Sequence, residues 1–232
     1  MSGPRLLEVS GLSRAFGGVR AVDDVDFALD AGELRCLIGP NGAGKSTFFK
    51  CLTGQLKPTS GSVRLDGREI GGLQSHQISR LGVGVKTQVP SVFGGLSVRE
   101  NLDLAAPGHA DENVIAQLDL GAIMDRQVDR LPHGRRQLVE LAMVLANRPR
   151  LILLDEPTAG LSRDEVTHVA ALIKGLEGRA AIIVVEHDMQ FVRGIARTVT
   201  VLHQGRVLVE DAVEAIMNDP RVRAVYLGKA AP

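Results

Sequence analysis

Residues 39 to 47, GPNGAGKST, have the residue types and spacing of a loop that binds nucleotide phosphates. Gly39, Gly42 and Gly44 permit a tight turn in which successive N–H groups and a helix N-terminus point at phosphate oxygens. Lys45 would reach the β- and γ-phosphates, and the Ser46 hydroxyl would be a ligand of magnesium. The remaining residues of this phosphate loop belong to the same predicted nucleotide site: Pro40, Asn41, Ala43 and Thr47. The alternative is a glycine-rich turn that binds nothing.

A pair of carboxylates, Asp155 and Glu156, ends the apolar run of LILLDEP, residues 151 to 157. A buried strand of this kind would deliver both acids to the crevice where α/β folds bind ligands. Asp155 would help to hold magnesium, and Glu156 would polarise an attacking water. Two adjacent acids at the end of a strand can also be plain capping residues, and that alternative stays open.

Three further residues suit a nucleotide site less specifically. His187 ends the apolar strand of VVEHDM, where an imidazole could bond a γ-phosphate and orient water, although a lone histidine is often structural. Gln88 follows the strand LGVGVK, and its amide could reach magnesium or the attacking water, or could lie in a solvated loop. Phe16, one of six phenylalanines, could be a stacking surface for adenine or a core residue.

Short strands and helices must position these residues. The N-terminal third alternates β-type runs with turns, and residues 19 to 30, VRAVDDVDFALD, show period-2 patterning. A helix is predicted from Lys45 to a stop at Gly54. LILLDEP and AAIIVVEHD have the unbroken apolar character of parallel strands that are buried on both faces. Strands and helices alternating at this spacing predict an α/β sandwich of the P-loop type.

The stretch from residue 97 to residue 148 differs from its surroundings because its pattern is mostly helical and more polar, which indicates an inserted helical subdomain. We therefore predict a single domain over the whole chain. Its predicted division is a core of residues 1–87 and 149–232 and a helical subdomain at about 88–148.

Composition limits the classes of protein to which the chain can belong. A length of 232 residues with 44% apolar content predicts a globular chain with a substantial core. The 27 basic and 27 acidic residues cancel, so no overall basic field favours a nucleic-acid partner. Cys36 and Cys51 lie in runs typical of buried strand and helix, which predicts reduced thiols. The sequence has neither an apolar signal region at its start nor the roughly 18 apolar residues of a membrane span.

In combination these motifs resemble the ATP-binding subunit of an ABC transporter. The resemblance covers nearly the whole chain and rests on the order of Phe16, GPNGAGKST, Gln88, LPHGRRQ, LILLDEPTAGLS and VVEHDM. It implies the fold of a P-loop NTPase with a RecA-like core, an N-terminal antiparallel β-subdomain and an inserted helical subdomain. The segments EHDMQFVRGIARTVTVLHQGRV and NDPRVRAVYLG are most similar to the branched-chain amino acid and urea uptake class, with the urea type as first choice.

The resemblance also implies cofactors, roles and partners. ATP and Mg²⁺ would be the cofactors, with adenine stacking on Phe16, magnesium contact for Gln88, a general base in Glu156 and a switch role for His187. The partners would be transmembrane permease subunits, a second ATP-binding subunit and an extracytoplasmic solute-binding protein, with no nucleic acid. The subunit would lie peripherally on the cytoplasmic face of the inner cell membrane. It would power import of a small polar solute: urea, short amides or branched-chain amino acids.

One turn departs from the family's pattern. Members carry Leu-Ser-Gly-Gly-Gln where residues 131–135, here named the signature turn, read LPHGR, before an amphipathic helix predicted from Gln137 onward. In the family this turn crosses a dimer interface and contacts the γ-phosphate held by the other subunit. Pro132 supplies neither a serine hydroxyl nor a backbone N–H, so we expect an impaired turn and a heterodimer. The alternative is that uptake subunits tolerate His133 and that the arginines bind phosphate themselves.

Two other functions compete with transport. An ATPase of the same superfamily could act on DNA or ribosomes, but only 42 residues separate Gln88 from Leu131, which leaves no room for a long coiled coil. A nucleotide-gated regulatory module with little turnover is the other alternative, because the signature turn is altered. The segment AGLS adds a smaller departure, since Ser162 stands where the family often has aspartate.

Overall fold

The computed structural model describes residues 5–108 and 111–227. Within them the strands are β1 (Arg5–Phe16), β2 (Val19–Asp30), β3 (Leu34–Ile38), β4 (Ser60–Leu65), β5 (Arg68–Glu69), β6 (Val83–Lys86), β7 (Leu151–Asp155), β8 (Ala181–Val185), β9 (Thr198–His203) and β10 (Arg206–Ala212). The helices are α1 (Lys45–Leu52), α2 (Ser75–Ser79), α3 (Val98–Ala105), α4 (Glu112–Gln117), α5 (His133–Ala146), α6 (Arg163–Leu176), α7 (Met189–Ile195), α8 (Val213–Asn218) and α9 (Pro220–Leu227).

A six-stranded sheet carries the predicted site. Its strand order is β10-β9-β3-β8-β7-β6, and all of its pairs are parallel except β9 with β10. Strands β3, β7 and β8 are buried along nearly their whole length, as their unbroken apolar runs predict. Because parallel strands end at one edge, the phosphate loop, His187, the acidic pair and Gln88 follow four neighbouring strands in that order.

The N-terminal strands form a separate antiparallel sheet of order β2-β1-β4-β5. The alternation predicted for β2 is present, with Val25, Phe27 and Leu29 buried on one face. Phe27 meets Phe48 of α1 edge to face, with ring centroids 5.6 Å apart. One hydrophobic cluster therefore joins this sheet to α1 and to one face of the parallel sheet.

Helices α3, α4 and α5 are inserted between β6 and β7. They cover the opposite face of the parallel sheet through a second apolar cluster. Helix α5 begins at His133 and not at the predicted Gln137. Pro132 takes the N-cap position, where a missing N–H loses no helix bond, and its carbonyl accepts a hydrogen bond from Arg136 at 3.1 Å.

The cysteines, the end of α1 and the character of the helices can be compared with the sequence predictions. Cys36 and Cys51 are free and buried, and burial raises the pKa of the Cys51 thiol to about 11. Helix α1 ends at Leu52, slightly before the predicted stop at Gly54. None of the helices in the described part of the chain combines the length and apolar character needed to cross a membrane.

Candidate functional site

The phosphate loop joins β3 to α1. Neighbouring backbone atoms lie so close to Gly39 and Gly44 that neither position has room for a side chain. Gly44 is the N-cap of α1 with φ 102°, and a Cβ there would lie 2.4 Å from the carbonyl oxygen of Ala21. A Cβ on Gly39 would lie 2.2 Å from the carbonyl oxygen of Leu202. No described side chain caps α1, so the N–H groups of its first turn face the loop without a side-chain acceptor.

Lys45 folds back over the phosphate loop. Its ammonium donates hydrogen bonds to the carbonyl oxygens of Gly39 at 2.6 Å and Pro40 at 3.1 Å. Burial lowers the pKa of Lys45, and the charges of Glu156 and Asp155 oppose that shift. These bonds hold the ammonium against the phosphate loop, where a bound phosphate would meet it.

The acidic pair lies at the end of β7 and differs in environment. Burial raises the pKa of Asp155, as does the adjacent charge of Glu156, while Lys86 and Lys45 lower it. Glu156 has a φ of 45°, in the left-handed region that side-chain-bearing residues rarely occupy, and its N–H bonds the Val185 carbonyl at 2.9 Å. Such backbone strain persists where the surroundings hold it and is concentrated at functional sites.

The three predicted catalytic residues lie together, with Gln88 and His187 on either side of the Glu156 carboxylate. The Gln88 amide donates to Oε2 of Glu156 at 2.8 Å, and Nδ1 of His187 lies 3.5 Å from Oε1. The residues come from the ends of β6, β7 and β8, so only the parallel sheet brings them together. This geometry supports a shared role at Glu156, whereas a capping role for the acidic pair would not require it.

Glu186 lies at the same edge of the parallel sheet and was not predicted as a site residue. Its side chain is 1% exposed and accepts hydrogen bonds from the Thr158 hydroxyl at 2.5 Å and from the His187 N–H at 3.0 Å. It thereby ties the segment after β7 to the segment after β8. The available signal was a carboxylate directly after AIIVV, which must find partners if it is buried.

Phe16 lies at the end of β1 and is 45% exposed, so it is not a core residue. The guanidinium of Arg14 stacks over its ring, 4.6 Å from the centroid. An exposed ring with one cation-covered face is compatible with the predicted adenine stacking, which stays a prediction.

The signature turn packs against the segment that leads to α6. A Cβ on Gly134 would lie 2.8 Å from the Gly160 carbonyl oxygen. Arg135 is already paired within its own chain, with Asp119 at 3.1 Å and Glu165 at 3.3 Å. An Arg135 that binds phosphate would have to leave two carboxylates, which weakens that alternative.

Ser162 has a local structural role. Its hydroxyl accepts a hydrogen bond from the Glu165 N–H at 3.3 Å, and the Glu165 carboxylate bonds back to the Ser162 N–H at 2.9 Å. This is a capping box at the start of α6. Serine and aspartate are comparable N-caps, so the departure at this position preserves the helix start.

The side chains available for magnesium are a hydroxyl, an amide and a carboxylate, from Ser46, Gln88 and Asp155. Magnesium prefers such oxygen ligands and takes others from phosphates and water. Across the described ranges, no three His, Cys, Asp or Glu side chains cluster as a metal site of their own. The donor set therefore fits magnesium that is bound together with a nucleotide.

Comparisons with known proteins agree with this geometry. A family model described as ABC transporter matches residues 22–159, more than half of the chain, and one described as Branched-chain amino acid ATP-binding cassette transporter matches residues 206–232. The high-affinity branched-chain amino acid transport ATP-binding protein BraF of Pseudomonas aeruginosa is 37% identical over 99% of this chain and 100% of its own length. LivG of Escherichia coli, described in the same words, is 36% identical over the same shares.

Solved structures give the same fold. The ADP conformation of an ATP-binding cassette of an ABC transporter superposes with a TM-score of 0.82 and 25% identity, covering 97% of this chain and 99% of that one. A nucleotide-free cassette superposes with a TM-score of 0.86 at 24% identity, covering 97% and 100%. The predicted P-loop fold and the resemblance to ABC transporter ATP-binding subunits are confirmed. This chain belongs to the ABC transporter family, as an ATP-binding subunit whose ATPase domain powers transport.

Proposed function

We propose that this subunit hydrolyses ATP at its own phosphate loop to drive the import of branched-chain amino acids. The observation that carries the hydrolytic part is the meeting of Gln88 and His187 at the Glu156 carboxylate. The solute is proposed because the relatives BraF and LivG are named for branched-chain amino acid transport and a family model of that class matches residues 206–232.

Different groups of this chain bind the ATP phosphates and activate the attacking water. The loop N–H groups and Lys45 bind the phosphates, and Glu156 polarises the water that attacks the γ-phosphate. Gln88 binds one oxygen of the Glu156 carboxylate, and the His187 imidazole faces the other. Magnesium, when bound through Ser46, Gln88 and Asp155, neutralises phosphate charge.

Urea is the second candidate solute, because the segments after Glu186 also resemble the urea uptake class. The test measures ATP hydrolysis by the assembled transporter with its solute-binding protein. We expect stimulation by leucine, isoleucine or valine and none by urea or short amides. Stimulation by urea alone would reassign the solute, and little turnover with any solute would favour a regulatory role.

We place the subunit on the cytoplasmic face of the inner membrane, against its permease subunits. A groove of about 790 Å³ between α2, β6 and α5 offers a docking surface for a permease segment. Glu140 lines this groove from within, and its buried Oε2 lies 3.7 Å from the ammonium of Lys86.

We further propose a heterodimer with a related ATP-binding subunit. In a dimer of the family type, this chain's signature turn would serve the partner's nucleotide, while the partner's turn would serve the nucleotide on Lys45. The first site lacks a serine hydroxyl because Pro132 stands there. The site on this chain's phosphate loop would therefore do most of the hydrolysis.

Replacing Pro132 with serine tests this asymmetry. In a transporter that carries Glu156→Gln in this chain, residual hydrolysis would come from the site that uses the signature turn. One restored transition-state hydrogen bond changes rates by roughly 10²- to 10³-fold, so Pro132→Ser should raise the residual rate at least tenfold. Serine also suits the N-cap position, so the helix should be retained.

Pro132→Ala is the matched control, because it removes the proline without adding a hydroxyl. It should leave the residual rate near its starting value. Equal rates for the serine and alanine variants, or full activity of this chain as a homodimer, would contradict the impaired signature turn.

A further inference from the structure

A lysine is buried directly beneath the predicted catalytic edge. Lys86 ends β6 with its side chain 0% exposed. Its ammonium donates a hydrogen bond to Oε1 of Gln137 and another to the Thr87 carbonyl at 3.3 Å, and it lies 3.7 Å from Oε2 of Glu140. A charged ammonium that is fully removed from water is unstable unless it is hydrogen-bonded or paired. Lys86 therefore needs these contacts to stay charged in the folded protein.

The same partners hold both ends of the segment that carries Gln88. The Gln137 amide donates to the Gln88 carbonyl oxygen at 3.0 Å, and the Ser91 N–H donates to Oε1 of Glu140 at 2.9 Å. Gln137 and Glu140 are both on α5, the helix that begins at the signature turn. The segment from Gln88 to Ser91 is therefore fastened to α5 at two points.

Lys86 joins these two points. It contacts Gln137 through the amide oxygen, which leaves the Gln137 amide N–H directed at the Gln88 carbonyl. It also faces the carboxylate of Glu140 across 3.7 Å. Burial lowers the pKa of Lys86 and raises that of Glu140, while each group's charge favours the ionised form of the other.

We propose that Lys86, Gln137 and Glu140 form a clamp that positions Gln88 against Glu156, with Lys86 as a positioning residue for ATP hydrolysis. The clamp places the Gln88 backbone, and the Gln88 amide then reaches Oε2 of Glu156 at 2.8 Å. Since α5 also carries the signature turn, a shift of α5 moves Gln88 with it. This inference rests on the role proposed for Gln88.

A double-mutant cycle tests the clamp. Lys86→Met, which keeps an unbranched side chain, should lower kcat of the assembled transporter by about tenfold to a hundredfold, the cost of misplacing a catalytic group. ATP affinity of the purified chain should change less than twofold. In a Gln88→Ala background, Lys86→Met should cause little further loss, because both changes remove the same contact. Lys57→Met, the same change at an exposed lysine, is the control.

Lys86→Met leaves Glu140 buried without its cation, so folding has to be monitored by the melting temperature. If that variant does not fold, Gln137→Leu takes its place in the cycle, since it breaks the bond to the Gln88 carbonyl and leaves Lys86 with Glu140 and the Thr87 carbonyl as partners. Losses that multiply with Gln88→Ala, or a normal kcat in Lys86→Met, would overturn the clamp. A normal kcat in Gln88→Ala would instead remove the role of Gln88, and the clamp with it.

Discussion

Changing Glu156 to glutamine is expected to stop ATP turnover in the assembled transporter while ATP binding persists. The amide keeps the size of the side chain and the position of Asp155 but cannot polarise the attacking water. A positioned general base contributes about 10²- to 10⁴-fold to a rate, so kcat should fall by at least about a hundredfold. The measurement is phosphate release by the complex beside nucleotide titration of the purified chain.

The structure adds a reason for a large effect. The two oxygens of Glu156 face different side chains, Oε2 the Gln88 amide at 2.8 Å and Oε1 the His187 Nδ1 at 3.5 Å, and a glutamine keeps only one of these two acceptors. Glu214→Gln on α8 is the control, because Glu214 is an exposed carboxylate far along the chain from the site. Near-normal hydrolysis by Glu156→Gln would assign the general base to another residue, with His187 as the next candidate.

Changing Lys45 to alanine should remove most of the nucleotide affinity. The ammonium is the cation aimed at the phosphates, and hydrogen bonds to charged groups contribute roughly 1.5–3 kcal/mol each. A loss of two such bonds predicts a Kd for ATP at least about a hundredfold higher. Titration of the purified chain with ATP measures it directly.

Lys50 supplies the matched control for that experiment. It lies on the same helix, α1, but its side chain is exposed and forms neither a hydrogen bond nor an ion pair within the described residues. Lys50→Ala should bind ATP as the unchanged chain does. Unaltered affinity in Lys45→Ala, or an equal loss in Lys50→Ala, would contradict the predicted phosphate contact.

Much of the nucleotide site could be predicted from local sequence. The phosphate loop and the acidic pair are contiguous motifs whose neighbouring apolar runs indicate strands, and the structure places both at the ends of β3 and β7. These features need only short-range patterns to be found.

The contacts that hold the site together could not be predicted in that way. Lys86 and Gln137 are far apart in the chain and meet only because α5 packs against β6. Gln137 and Glu140 lie among apolar residues of a helix, where their burial depends on what faces them. The early start of α5 was missed because Pro132 acts as an N-cap, which the usual serine, threonine or aspartate signal does not describe.

Uptake of labelled leucine by membrane vesicles, with ATP supplied on the side of this subunit, tests the central claim most directly. Vesicles should carry the transporter with its solute-binding protein and either the unchanged chain or Glu156→Gln. We expect ATP-dependent uptake that isoleucine and valine compete away, that urea does not affect, and that Glu156→Gln reduces to background. Leucine uptake that continues at the normal rate with Glu156→Gln would contradict the claim that hydrolysis at this chain's phosphate loop drives transport.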